Sequence, residues 1–176
     1  MTAKLAVWWL LASEVVIFGG VLASYIMHRI GHPEWANYAV HTNTIAGAIN
    51  TFILLTSSLS AVLAHREAQL KNGPGAAKFL GLTILGGGMF LVVKSIEWTN
   101  EITHGYTITA NPFWSFYYTA AGIHGLHVIA GMILMGWVAS TAMKNQELHR
   151  VENVGLYWHF VDLVWIFLFP LLYIAK

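Results

Sequence analysis

The sequence has no cysteine and very little charge. Without cysteine the chain forms no disulfide, offers no thiolate to a metal and has no cysteine nucleophile. Only 10% of its 176 residues are Asp, Glu, Lys or Arg, against about a quarter in a soluble domain. So little charge cannot cover the surface, which makes water a poor solvent for most of the chain. The net charge of +1 gives nucleic acid nothing to bind. What fills the chain instead is 57% hydrophobic residues, with a mean hydropathy of +0.60. The length fits one domain, 1–176. The start, MTAKLAVWWLLASEVVIFGG, does not read as a signal peptide: its apolar stretch is too long, Glu14 interrupts it, and no small-residue cleavage site stands out.

A helix needs roughly 20 apolar residues to cross the hydrocarbon core. Five stretches qualify, at about 5–27, 44–64, 76–96, 116–143 and 154–175. Backbone groups in lipid must be satisfied internally, and the runs are too continuous for barrel strands. The expected fold class is therefore all-α: a polytopic membrane bundle of five transmembrane helices. The links carry the breakers, Gly31 and Pro33 in the first, Asn72 to Gly75 in the second, Asn111-Pro112 in the third. Lys4, Arg66, Lys71, Lys78, Lys144 and Arg150 fall on one side of this topology, and Arg29, Lys94 and Lys176 on the other. The excess of positive charge marks the cytoplasmic side. It predicts a cytoplasmic N-terminus and an outside C-terminus.

Ionisable groups at membrane depth are costly and usually face the bundle interior. Glu14 has only Leu10, Leu11, Ile17 and Phe18 at helical neighbour positions, so no local cation compensates it. It reads either as a carboxyl bonded to a neighbouring helix or as one that exchanges protons. His124 and His127, three residues apart, share a helix face. A haem needs axial ligands on opposite faces, which this spacing cannot supply. A zinc or iron site needs a third ligand, for which His159 is the candidate. The structural reading, a polar contact between helices eased by Gly122, Gly125 and Gly131, outweighs the metal one. His159 and Asp162 repeat the spacing in the last run, so a polar network between the fourth and fifth spans is expected. Glu97 and Glu101 close the third run, and Lys94 precedes Glu97 by three residues. A local ion pair at a solvated helix end is the expectation there, with Glu97 turned into the bundle as the alternative. The second run is polar, with Asn50, Thr51, Thr56, Ser57, Ser58 and Ser60, and is expected inside or against another polypeptide. Trp8, Trp9, Trp35, Trp98, Trp114 and Tyr117 near the span ends read as interfacial anchors. No Gly-rich phosphate loop or nucleophile elbow is present.

Several motifs, in this order, resemble subunit III of haem–copper terminal oxidases, the cytochrome c oxidase family: LLASEVVIFGG, NTFILLTSSLSAVLAH, KSIEWTNE, AAGIHGLHVIAG and YWHFVDLVWIFLF. The resemblance covers nearly the whole chain, and its last two motifs are the most specific. It implies a subunit without haem, copper or catalytic residues of its own, in an O2-reducing, proton-translocating complex of the bacterial cytoplasmic membrane. Haem a and copper would lie in partner subunits I and II. Phospholipids would be bound, and other respiratory complexes would be further partners. Glu14 would be the family's carbodiimide-reactive carboxyl and Glu97 its other motif carboxylate. His124, His127, His159 and Asp162 would be motif positions. The long form of the family has seven helices, and this chain begins where the third would be. Quinol oxidases of the o type and nitric oxide reductase-associated proteins share the last two motifs. The Ser13-Glu14-Val15 carboxylate points to the cytochrome c branch. Two readings from other classes stand beside this one: a His-ligated metal or haem membrane enzyme, and a transporter. The latter has no internal repeat or paired interrupted helices to support it.

Overall fold

Asparagine starts three of the long helices. In the computed structural model, which describes residues 2–175, the elements are α1 (Thr2–Gly31), α2 (Trp35–Ala39), α3 (Thr44–Gln69), α4 (Gly73–Thr103), α5 (Pro112–Ala142), α6 (His149–Phe169) and a wide π-type turn (Pro170–Ile174). Asn43, Asn72 and Asn111 each accept a backbone N–H three residues on, from Ala46, Gly75 and Trp114, at 3.0, 3.1 and 3.1 Å. Such caps satisfy donors that the first helical turn leaves open. Pro112 opens α5, where its missing N–H costs nothing. The chain is all-helical, and α1, α3, α4, α5 and the α6–turn unit are long and apolar enough to cross a membrane.

The helices overrun the apolar runs at several ends, and the first link contains the short α2. Pro170 does not stop the last span. Its φ and ψ of −65° and −35° stay helical, while the backbone widens until Ala175 N–H reaches the Pro170 carbonyl at 2.9 Å. Lys176, counted above on the outer side, lies outside the described residues, as does the side chain of Lys4.

Four helices show one pattern of burial. In α4 the buried positions are Gly73, Ala76, Leu80, Thr83, Gly87, Phe90, Lys94, Glu97 and Glu101, a strict alternation of three and four. In α3 they are Gly47, Asn50, Leu54, Ser57, Ala61, Ala64 and Ala68, with the same spacing. Buried rows in α5 and α6 contain the same alternation. A period of 3.5 keeps one seam facing its partner along the whole length, the geometry of left-handed bundles. Small residues let the seams close. A Cβ on Gly87 would lie 2.8 Å from the Trp158 ring, and one on Gly131 would lie 3.0 Å from it. Gly122 and Gly125 make only ordinary contacts, at 3.7 and 3.9 Å.

The hydroxyls of α3 receive the indoles of α6. Trp158 Nε1 donates to Ser57 Oγ and Trp165 Nε1 to Thr51 Oγ1, both at 3.0 Å. Asn50 and Ser57 are buried and Thr51, Ser58 and Ser60 half-buried, while Thr56 stays on the open face of α3. α1 lies apart from this core, against α5 and α6, and much of its surface is open, Trp9 at 72%. The interfacial-anchor reading fits Trp8 and Trp9, both exposed. It is corrected for Trp35, Trp114 and Tyr117, which are buried in the core.

Candidate functional site

Glu14 sits on the inner side of α1, buried. Its Oε2 lies 2.9 Å from His127 Nε2 of α5. The two are close but not aligned as a hydrogen bond. His127 Nδ1 bonds the Ile123 carbonyl at 2.7 Å. A carbonyl only accepts, so Nδ1 carries hydrogen. Nε2 is then the nitrogen left for the carboxyl. Phe18 packs its ring edge on the imidazole, with centroids 5.1 Å apart. The Tyr157 hydroxyl reaches the His127 carbonyl at 3.3 Å. The sequence offers Glu14 no partner on its own helix, and the structure supplies one from α5.

The expected network between the fourth and fifth spans is not what the structure brings together. His127 meets α1. His159 Nδ1 meets Ser58 Oγ of α3 at 2.5 Å. His124 is fully buried, and neither ring nitrogen has a hydrogen-bond partner in the chain. Its ring packs against Phe90 and Trp165, with centroids 5.4 and 5.3 Å away. Asp162 is buried with both oxygens unbonded, and Ser58 is the polar side chain beside it. The reason is angular. Residues three apart on a helix diverge by about 60°, enough to turn His124 into the seam and His127 toward α1. Trp158 and Trp165 fill the space between α5 and α6 that a polar bridge would need. Among the described residues, no three His, Asp or Glu side chains gather as a metal ion would require.

A second polar group lies where α4 ends. Lys94 Nζ donates to Glu97 Oε2 at 3.0 Å, so the expected ion pair forms. The helix end is not solvated, however: Lys94, Glu97 and Glu101 are 5%, 3% and 3% exposed. Lys94 also donates to Tyr117 Oη at 2.9 Å and to Tyr173 Oη of the C-terminal turn. Tyr117 Oη lies 3.0 Å from Glu97 Oε1 and 3.1 Å from Glu101 Oε1. The Lys94 ammonium stands 4.6 Å over the Tyr117 ring and 5.0 Å over that of Tyr173, within cation–π range. By sequence Tyr117 reads as an interfacial anchor, and Tyr173 carries no signal of its place in this cluster. The signal for the carboxyls was available: Lys94, Glu97 and Glu101 continue the row of Gly87 and Phe90 at spacings of three and four.

A family model described as cytochrome c oxidase subunit III matches residues 2–176. Cytochrome c oxidase subunit 3 of Thermostichus vulcanus is 33% identical over 171 residues, covering 93% of this chain and 83% of that protein. A haem–copper oxidase subunit I+III of Aeropyrum pernix is 32% identical over 182 residues, 97% of this chain and 22% of that longer protein. Cytochrome bo(3) ubiquinol oxidase subunit 3 of Pseudomonas aeruginosa is 31% identical over 174 residues, 95% of this chain and 82% of that protein.

Proposed function

Since this chain belongs to the cytochrome c oxidase subunit III family, we propose that it is the non-catalytic third subunit of a proton-translocating aa3-type cytochrome c oxidase. Subunits I and II are its partners and hold the haem a and copper where O2 is reduced. The I+III relative supports the first partnership, since its name joins both subunits in one protein. This chain contributes assembly, lipid contact and support of proton uptake by the catalytic subunit, as one membrane-embedded unit in the bacterial cytoplasmic membrane. The N-terminus is cytoplasmic. Lys94 is buried and leaves the outer count, so six cations on one side now face Arg29 and Lys176 on the other.

The observation that carries the reading is Glu14 against His127, a buried carboxyl 2.9 Å from an imidazole nitrogen at the contact between α1 and α5. Proton exchange at membrane depth needs a group that can be either charged or neutral without rearranging its surroundings. Beside it, an apolar groove of about 290 Å³ between α1 and α6, lined by Val15, Phe18, Leu22, Phe160 and Leu163 among others, suits a lipid acyl chain. Glu97 and His159 tie helices together through Lys94, Tyr117 and Ser58, while His124 and Asp162 are buried without a hydrogen-bond partner in the chain.

The test is purification of the tagged full chain in mild detergent with a reduced-minus-oxidised spectrum and a subunit inventory. A haem a signal with a co-purifying many-helix subunit is expected. The second reading, a quinol oxidase subunit III, is favoured by the Pseudomonas relative. A complex with haem b and o and quinol oxidation would replace the cytochrome c assignment by that one.

A further inference from the structure

We propose that the cluster between the end of α4 and the start of α5 binds one proton, held on Glu101 against Tyr117. The inference stands apart from the functional reading above and concerns residues that reading leaves with a structural role or none.

The argument is a count of hydrogens. The three protons of the Lys94 ammonium face Glu97 Oε2, Tyr117 Oη and Tyr173 Oη. Tyr117 has a single hydroxyl proton, yet its oxygen meets Glu97 Oε1 at 3.0 Å and Glu101 Oε1 at 3.1 Å. It can donate to only one of them. The other contact would set a phenol oxygen against a bare carboxylate oxygen, which repels unless that carboxyl carries hydrogen. Glu97 already has the ammonium on its Oε2. Glu101 has no ammonium, and its own Oε2 has no hydrogen-bond partner in the chain although it is buried. An ionised carboxylate in a buried site normally collects several donors. Placing the proton on Glu101 lets it donate to Tyr117, which in turn donates to Glu97.

Charge leads to the same place. One ammonium and two ionised carboxylates would leave an unbalanced negative charge in an apolar bundle, which is strongly disfavoured. One proton makes the group neutral. The titratable groups facing Glu101 are Lys94 and Glu97 on α4 and Tyr117 and Tyr118 on α5. Tyr173 of the C-terminal turn completes the cluster through Tyr117, at 3.0 Å. Tyr118 spends its own hydroxyl proton on the Tyr106 carbonyl at 2.7 Å, so it does not relieve Glu101.

Infrared spectroscopy of the full chain, purified in lipid with the subunits it carries, tests this at neutral pH in H2O and D2O. A carboxylic acid C=O band is expected that shifts in D2O, is lost in Glu101→Gln and persists in Glu14→Gln and Asp162→Asn. If Glu101→Gln removes no component of this absorption, or if only Glu97→Gln removes one, the proposal is overturned, as it is by the lack of any such band in the unaltered chain. If Glu101→Gln does not fold, solid-state NMR of the unaltered chain with carbon-13 glutamate decides. A protonated carboxyl carbon correlated with the Tyr117 ring supports the assignment, and an ionised one there overturns it.

Discussion

Glu14 and Glu97 are both carboxyls within membrane-crossing helices, and each has a basic nitrogen close by, at 2.9 and 3.0 Å. Their surroundings differ in kind. Glu97 has a local partner one turn away, inside a core seam, with two tyrosines from other elements closing over the pair. Glu14 has a single partner from another helix, at the rim where α1 meets α5, and the pair is 12% and 20% exposed at its side chains. The first arrangement ties α4, α5 and the C-terminal turn together. The second touches two helices at the edge of the core. The enclosed group joins three elements, and the rim contact joins two.

This contrast can be broken by substitution. The largest effect is expected from Lys94→Ala, which strands Glu97 beneath Tyr117 and Tyr173. Loss of one partner from a buried pair costs about 3–5 kcal/mol, so the folded yield and thermal midpoint in detergent should fall steeply. An unchanged midpoint would show that the enclosed cluster carries no stability. Next comes Tyr173→Phe, which removes one hydroxyl from the ammonium and should cost about 1–3 kcal/mol in the same assay. At the rim, Glu14→Gln keeps shape and polarity and should cost only about 1 kcal/mol. It should nevertheless abolish carbodiimide labelling of the chain. Labelling that persists unchanged would remove Glu14 from its proposed role. Trp9→Ala, at an exposed position of α1, should stay within about 0.5 kcal/mol and serves as the baseline against which the others are measured.

The helices were legible because apolar runs and their breakers are written plainly: Asn72 to Gly75 and Asn111-Pro112 mark helix starts wherever they occur. The interior was harder to read. In lipid, the outward face of a helix is as apolar as the inward one, so hydrophobicity does not tell which side packs. The spacing of Lys94 and Glu97 looks the same on a wet helix end as in a core, and the wet end is the commoner case. Tyr117 near a span end looks like an interfacial anchor, and only the convergence of α4, α5 and the turn shows otherwise. The histidines were found, but spacing alone could not send His127 to Glu14, His159 to Ser58 and His124 into an aromatic cage, because their partners lie far away in the chain. The buried rows of α3 and α4 were present in the sequence as an alternation of three and four, and that rhythm is the signal that would have placed Lys94 and Glu101 inside.

The two indole–hydroxyl bonds between α6 and α3 have a mechanical consequence. Trp158 and Trp165 are seven residues apart on one helix, and Ser57 and Thr51 six apart on the other. At about 1.5 Å of rise per residue, these pegs stand about 10 Å apart on one rod and about 9 Å apart on the other, set in matching order. Sliding one rod along the other strains both bonds at once. A piston stroke between α3 and α6 is therefore opposed by both bonds together, at about 1 kcal/mol each, while tilt or motion of both helices as a pair leaves them in place.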